Sequence, residues 1–268
     1  MSETLKIVFM AFLQGFTEFL PVSSSGHLAI FGDLLKLDPD GSLGLIITLH
    51  AGTLFAILLY YFKELSGLLK PSEFKMASKI IIGTIPAAAA GLILHQTGIG
   101  KTIFEGHYGT YIAGGGLILT CFILKSAAKT RQGMFDMHEI SFAKALFIGF
   151  AQAFAILPGV SRSGSTITAG LKMGLKDEDA AKFSFFLAVP AIGGAAFVES
   201  VSKFIKHDFG TSYSLGLMVL GFFISAVSGY IAIAILISIL KKNKLSIFAY
   251  YCFIMGSLAI TLKFFKIL

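Results

Sequence analysis

The amino-acid sequence predicts an all-α integral membrane protein, and three observations carry that prediction. Of 268 residues, 55% are hydrophobic and only 14% are charged, at a mean hydropathy of +0.81, whereas a soluble domain carries roughly 25% charged residues. The apolar residues gather into stretches close to the roughly 20 residues needed to cross a bilayer. Two further apolar regions break at mid-length into polar loops of small residues, which membranes tolerate only where protein or a water-filled cavity surrounds the backbone. The expected architecture is about six transmembrane helices plus two re-entrant helix–loop–helix hairpins, in two inverted-topology repeats of one membrane domain, 1–268.

The elements follow in order. Lys6 and the apolar Ile7–Leu13 resemble the start of a signal peptide, but Gln14 and Glu18 come next and no small-x-small cleavage site follows, so the segment is read as retained. Ile7–Leu20 breaks at Pro21-Val22-Ser23-Ser24-Ser25-Gly26 before Leu28–Leu35 resumes, which is the first hairpin. Three crossings are expected next, at Leu43–Phe62, Ile80–Leu94 and Tyr108–Leu124, the second interrupted by Pro86. Ala143–Leu157 then breaks at Pro158-Gly159-Val160-Ser161-Arg162-Ser163-Gly164-Ser165 before Ile167–Leu175, which is the second hairpin. Three more crossings close the chain, at Phe183–Val198 (interrupted by Pro190), Leu215–Leu240 and Ser246–Leu262.

The two halves, about 1–138 and 139–268, also read as copies. At an offset of about 138, Gln14 falls on Gln152, Phe16 on Phe154, Val22 on Val160, Ser23 on Ser161, Ser25 on Ser163 and Gly26 on Gly164. Leu49 meets Leu187, Gly83 meets Gly221 and Gly91 meets Gly229 in the same register. A re-entrant hairpin plus three crossings is an odd number of passages, so the second copy must enter the membrane upside down. Inverted repeats place a binding site where their interrupted helices meet.

Charge sets orientation and excludes some partners. The net charge of +7 comes without a polybasic run or an exposed aromatic platform, so nucleic acid is not expected as a partner. Lys63, Lys70, Lys75, Lys79, Lys125, Lys129, Arg131, Lys172, Lys176, Lys182, Lys241, Lys242 and Lys244 fall on one side of the expected topology. Lys6, Lys36, Lys101, Lys203, Lys206, Lys263 and Lys266 fall on the other. The richer side should be cytoplasmic, which turns the first hairpin's mouth outward. Cys121 and Cys252 lie inside apolar stretches and make no disulfide framework.

The polar loops carry the chemistry. Gln14 and Glu18 are four apart and share a helical face, and a carboxylate inside a membrane segment is by default functional. Ser23, Ser24 and Ser25, then Gly26 and His27, follow at the start of the next half-helix, whose free backbone N–H groups suit an anion. The second loop supplies positive charge: Arg162 stands among Ser161, Ser163, Gly164, Ser165 and Thr166, and a guanidinium matches phosphate oxygens in a two-pronged geometry. Brought together, the loops would form a phosphoryl-transfer site without a nucleotide loop.

Plainer readings attach to other residues. Glu18 could serve only as the structural partner of Arg162. His50 lies in a crossing with no carboxylate nearby in sequence and reads as a packing or hydrogen-bonding histidine. His95, His107, His138 and His207 lie near segment ends and should face the interface. Phe183–Phe186 reads as lipid-facing or core before it reads as a prenyl groove, and Asp177-Glu178-Asp179 as a solvated loop run.

The two motifs Gln14-x-x-x-Glu18-Phe-Leu-Pro-Val-Ser-Ser-Ser-Gly-His27 and Pro158-Gly-Val-Ser-Arg162-Ser-Gly-Ser-Thr166 resemble those of the undecaprenyl-diphosphate phosphatase family linked to bacitracin resistance. The resemblance spans nearly the whole chain in length, segment order and motif spacing. It implies hydrolysis of undecaprenyl diphosphate to the monophosphate in the bacterial plasma membrane, recycling the lipid carrier of cell-wall synthesis. It also implies a divalent cation, Mg2+ or Ca2+; Glu18 is the candidate ligand, and a homodimer is the candidate assembly. By the same resemblance Glu18, His27 and Arg162 match essential residues and Ser24 a candidate nucleophile. Gln14 fills the first place of a Glu/Gln-x-x-x-Glu motif, so this chain brings one carboxylate there rather than two.

Two assignments stay open at this level. Ser24 attacks, with His27 or Glu18 as its base, or His27 attacks and forms a phosphohistidine. The opposing class is a lipid-phosphate transporter or flippase, because inverted repeats with interrupted helices are common in secondary transporters.

Overall fold

A computed structural model describes residues 1–37, 39–98, 108–127, 133–205 and 213–267, with 39–43 and 203–205 described as backbone only. His107, His207, Lys101, Lys129, Arg131 and Lys206 of the sequence reading lie outside these residues. The chain is a bundle of α-helices, and the described residues contain no strand beyond an isolated bridge between Phe135 and Leu175.

In chain order the helices are α1 (Glu3–Phe19), α2 (Ser24–Leu34), α3 (Pro39–Tyr60), the short α4 (Phe62–Gly67), α5 (Phe74–Thr97), α6 (Gly109–Ala127), α7 (Phe142–Phe154), α8 (Arg162–Lys172), α9 (Asp177–Ile205), α10 (Leu215–Lys241) and α11 (Ser246–Phe264). Among the described residues, five segments are long and apolar enough to cross a membrane: Pro71–Thr97, Gly109–Ala127, Asp177–Ser202, Leu215–Lys241 and Ser246–Phe264. The expected crossing Leu43–Phe62 falls on α3, whose fully described apolar part, Gly44–Tyr60, is shorter. The protein is therefore a multi-pass membrane protein, as its composition requires.

Two expectations need correction. Pro86 and Pro190 do not interrupt their helices; α5 and α9 run through them, because neighbouring groups in a bundle can satisfy the freed carbonyl. Asp177, Glu178 and Asp179 are not a loop run but the first turn of α9, where negative charge offsets the helix's positive end. Of the two readings of Phe183–Phe186, lipid-facing or core, the structure bears out the core: Phe183, Phe185 and Phe186 are each at most 1% exposed and pack with Phe19, Tyr61 and Leu187.

The packing pairs elements of the two halves. α1 lies on α10 as α7 lies on α5, α3 lies on α10 as α9 lies on α5, and α6 packs against α11. The half-length α1–α2 and α7–α8 are thus each wedged against a long helix from the other half. Outside the spans, Lys176 pairs with Asp136 at 2.7 Å beside the 3-10 turn Met137–Glu139. That hydrogen bond holds the Asp136 carboxyl below its usual range.

A candidate phosphoryl-transfer site between two interrupted helices

The two breaks are built alike. α1 ends where Leu20 turns extended before Pro21, and Ser23 then caps α2 by accepting the Gly26 N–H at 3.2 Å. In the second break Ser161 caps α8 by accepting the Gly164 N–H at 3.0 Å. The hydroxyls of Ser23 and Ser25 lie 3.3 Å apart, and those of Ser161 and Ser163 lie 3.2 Å apart. By helix geometry the first-turn amides, including those of Ser24 and Ser25 and of Arg162 and Ser163, have no intrahelical acceptor.

The breaks meet each other. Ser163 Oγ donates to the Leu20 carbonyl at 3.1 Å, and a Cβ on Gly26 would stand 2.9 Å from Gly159 Cα. Gly159 itself has φ 83°, and a Cβ there would come within 2.0 Å of the Ala113 carbonyl oxygen, so the residue must be glycine. Thr120 of α6 clamps the second loop from behind, accepting from Ser161 N at 2.9 Å and donating to Gly159 O at 3.0 Å. Ser23 holds φ 68° and ψ 98°, a strained conformation for a residue with a side chain and one found chiefly at functional sites.

Glu18 is the centre of the resulting cluster. Its Oε1 accepts from Arg162 Nη2 at 2.7 Å, across 144 residues of sequence. Its Oε2 accepts from Ser24 Oγ at 2.6 Å and from Gln14 Nε2 at 3.0 Å. Arg162 is further steadied through Nη1, which donates to the Ser184 carbonyl at 3.4 Å. A carboxylate 6% exposed is stable as an ion only with such partners.

These groups open onto a cavity of about 590 Å³ lined by α3, α5, α9 and both breaks. Its polar end presents Glu18, Ser23, Ser24, Ser25, Ser161 and Arg162. From there it runs along small and apolar side chains, among them Ala87, Gly91, Leu92, Ile156 and Ala195.

Seven other residues expected at the site do not line this cavity. Gln14 stands behind Glu18 and holds it. Gly26, Ser163 and Gly164 shape the loops. Thr166 Oγ1 bonds the Arg162 carbonyl and the Ser184 hydroxyl. Ser165 is buried, its hydroxyl without a partner. His27, fully buried, is held at both ring nitrogens: Nδ1 donates to the Ser23 carbonyl at 2.8 Å and Nε2 lies 2.7 Å from the Tyr251 hydroxyl. A carbonyl can only accept, so Nδ1 carries the proton and a neutral ring takes the Tyr251 hydrogen at Nε2.

His50 takes the position that sequence distance concealed. Its Nδ1 donates to the Ile46 carbonyl at 2.9 Å, leaving Nε2 on the cavity wall 3.7 Å from Glu18 Oε2. Residues 18 and 50 lie on different helices, so no local spacing could pair them. His95, expected at the interface, and Glu199 also line the cavity. Gln152 does too, and the match with Gln14 was the one signal that could have marked it.

No group of three or more His, Cys, Asp or Glu that could hold a metal occurs among the described residues. Glu18 and the Ser24 hydroxyl are hard oxygen donors on the cavity wall, which suits a divalent cation that keeps substrate phosphate and water as its other ligands. They do not form a protein cage.

The fold and this cluster define a class: a multi-pass membrane protein whose apolar cavity ends in a polar cluster of a carboxylate, a guanidinium and serine hydroxyls. The chain belongs to the bacitracin resistance protein BacA family, whose model matches residues 7–258. It is 41% identical to an undecaprenyl-diphosphatase 4 of Bacillus cereus, over 97% of each chain. It is 36% identical to the undecaprenyl-diphosphatase of Halothermothrix orenii, over 97% of this chain and 98% of that one. Methanosphaera stadtmanae carries an undecaprenyl-diphosphatase 35% identical over 98% of this chain and 99% of its own.

Proposed function

We propose that this chain is an undecaprenyl-diphosphate phosphatase, releasing inorganic phosphate and returning the monophosphate carrier to cell-wall synthesis, with resistance to bacitracin as a consequence. The observation that carries the reading is the 2.6 Å hydrogen bond from the Ser24 hydroxyl to Glu18, beside Arg162 in one cavity. A nucleophile already bonded to its base and flanked by a guanidinium is more than a lipid carrier needs. That bond favours hydrolysis over transport.

The incoming diphosphate competes with Glu18 for Arg162 and accepts from the first-turn amides of α2 and α8. Once Arg162 turns to phosphate, Glu18 is left to take the Ser24 proton as Oγ attacks the terminal phosphorus. The bond from that phosphorus to the bridging oxygen breaks and the lipid monophosphate leaves. Water then attacks the phosphoserine, and the Ser24 oxygen recovers its proton from Glu18. His27, held at both nitrogens, positions the Ser23 carbonyl rather than attacking. His50 faces Glu18 across 3.7 Å, within reach of the phosphoryl group that Glu18 meets. The prenyl tail follows the small and apolar wall toward lipid.

Mg2+ or Ca2+ would be held by Glu18 with the substrate's own oxygens, and would supply neutralisation of phosphoryl charge. The lysine asymmetry supports a bacterial plasma-membrane orientation with the site opening outward. The matched packing of α1 on α10 and α7 on α5 supports two inverted repeats built on re-entrant hairpins. A homodimer remains the proposed assembly.

The test is phosphate release from an isoprenoid diphosphate by purified protein in detergent, with and without chelator. Release in the wild type, lost in Glu18→Gln and reduced by chelator, is expected. No release from folded wild type across several lipids and cations would overturn the reading and leave transport in its place.

A further inference from the structure

We propose that Gln152 is a substrate-contacting residue, its carboxamide meeting phosphoryl oxygens at the polar end of the cavity. The proposal deepens the phosphatase reading and rests on it for the identity of the lipid. Gln152 is 3% exposed and lines the cavity. Neither its Nε2 nor its Oε1 has a hydrogen-bond partner. A buried amide with both ends unpaired is costly and calls for an explanation. The other buried unpaired side-chain atoms among the described residues, Gln14 Oε1, Ser165 Oγ and Thr168 Oγ1, belong to residues that do not line the cavity.

The internal register explains how the amide came to be spare. Gln14 and Gln152 occupy matching places ahead of the two breaks. Gln14 gives its Nε2 to Glu18, one turn further along the helix. The residue one turn beyond Gln152 is Ile156, which offers no acceptor. The second amide is therefore directed to the cavity rather than to a carboxylate.

Its surroundings identify the ligand. Ser161 and Arg162, on the connection that follows Gln152's own helix, line the same cavity, and Glu18 and Ser24 face them. An amide offers two N–H donors to phosphate oxygens without adding charge, and its oxygen can accept from a hydroxyl or from the attacking water. A prenyl chain could satisfy neither group, so the diphosphate end is the part of the lipid that Gln152 meets.

The test compares purified wild type with Gln152→Met, which keeps length and apolar bulk but removes the amide. Folding is read as the thermal midpoint in detergent, and binding as KM together with inhibition by inorganic diphosphate. The midpoint should stay level or rise, because an unpaired buried amide is gone. KM and the inhibition constant should both rise about tenfold, the cost of one hydrogen bond to a charged group. A stable Gln152→Met with wild-type KM and inhibition constant overturns the proposal. Should Gln152→Met fail to fold, Gln152→Asn, which withdraws the amide by one methylene, must give the same rise; unchanged constants there also overturn it. Were wild type to hydrolyse no isoprenoid diphosphate, the phosphatase reading would fall while thermal protection by inorganic diphosphate still decides. Protection lost in Gln152→Met supports the amide contact, and equal protection refutes it.

Discussion

The two helix breaks share a frame and differ in chemistry. Each has a serine cap accepting from a glycine three residues on, and a paired hydroxyl two residues on. The first carries the carboxylate and the proposed nucleophile, Glu18 and Ser24; the second carries Arg162. Neither would be a phosphoryl-transfer site alone, because the proposed base Glu18 and the guanidinium of Arg162 come from different breaks, 2.7 Å apart. The difference teaches that two helix breaks can share their capping and packing residues while the few side chains at their meeting point differ.

Substitutions can break this division of labour in graded fashion. Ser24→Ala removes the nucleophile and should lower kcat by about 10⁴-fold or more, with the thermal midpoint near wild type because the Ser23 cap is untouched. Acid-quench labelling should find an acid-stable, base-labile phosphoenzyme in wild type and none in the variant; an acid-labile one would move the nucleophile to a histidine. Glu18→Gln keeps the size but not the base and should cost about 10²–10⁴-fold in kcat. Arg162→Lys keeps the charge but loses the fork, and should cost about 10²-fold, mostly in kcat/KM.

Smaller effects sharpen the contrast between the histidines. His50→Gln, on the cavity wall, should lower kcat by about tenfold without moving the thermal midpoint. Tyr251→Phe removes the hydroxyl at His27 Nε2 and should reduce stability by about 1 kcal/mol, with KM unchanged; a large kcat loss there would restore His27 as a reacting group. Smallest of all, Lys176→Met breaks the exposed pair with Asp136. It should leave phosphate release unchanged and alter the midpoint only marginally. Asp136's carboxyl is held below its usual range, so whatever the pair adds is present near neutrality and lost as pH falls through the folded value.

Much of this was legible in the sequence for identifiable physical reasons. Hydropathy marks spans because the bilayer forbids charge, and the breaks stand out because Pro21, Pro158 and their serines interrupt apolar runs. Glu18, Ser24 and Arg162 were visible because ionisable and hydroxyl groups at membrane depth need a function. What the sequence hid depends on tertiary packing. His50 is brought to Glu18 from another helix, and no local spacing records that. His27 looked reactive from its place in the motif, yet its two nitrogens are engaged by Ser23 and by Tyr251, 224 residues away. The acidic run at 177–179 and the prolines at 86 and 190 were misread because local propensity was set above helix capping and membrane context.

The central claim is that the two breaks act as one catalytic unit, and a double-mutant cycle on Glu18 and Arg162 tests it most directly. Phosphate release from an isoprenoid diphosphate would be measured for wild type, Glu18→Gln, Arg162→Ala and the pair, each checked for folding. Groups acting as a unit are grossly non-additive, so the double variant should lose about as much activity as the worse single one. Losses that multiply would contradict the account, because they would mean that Glu18 and Arg162 serve independent steps.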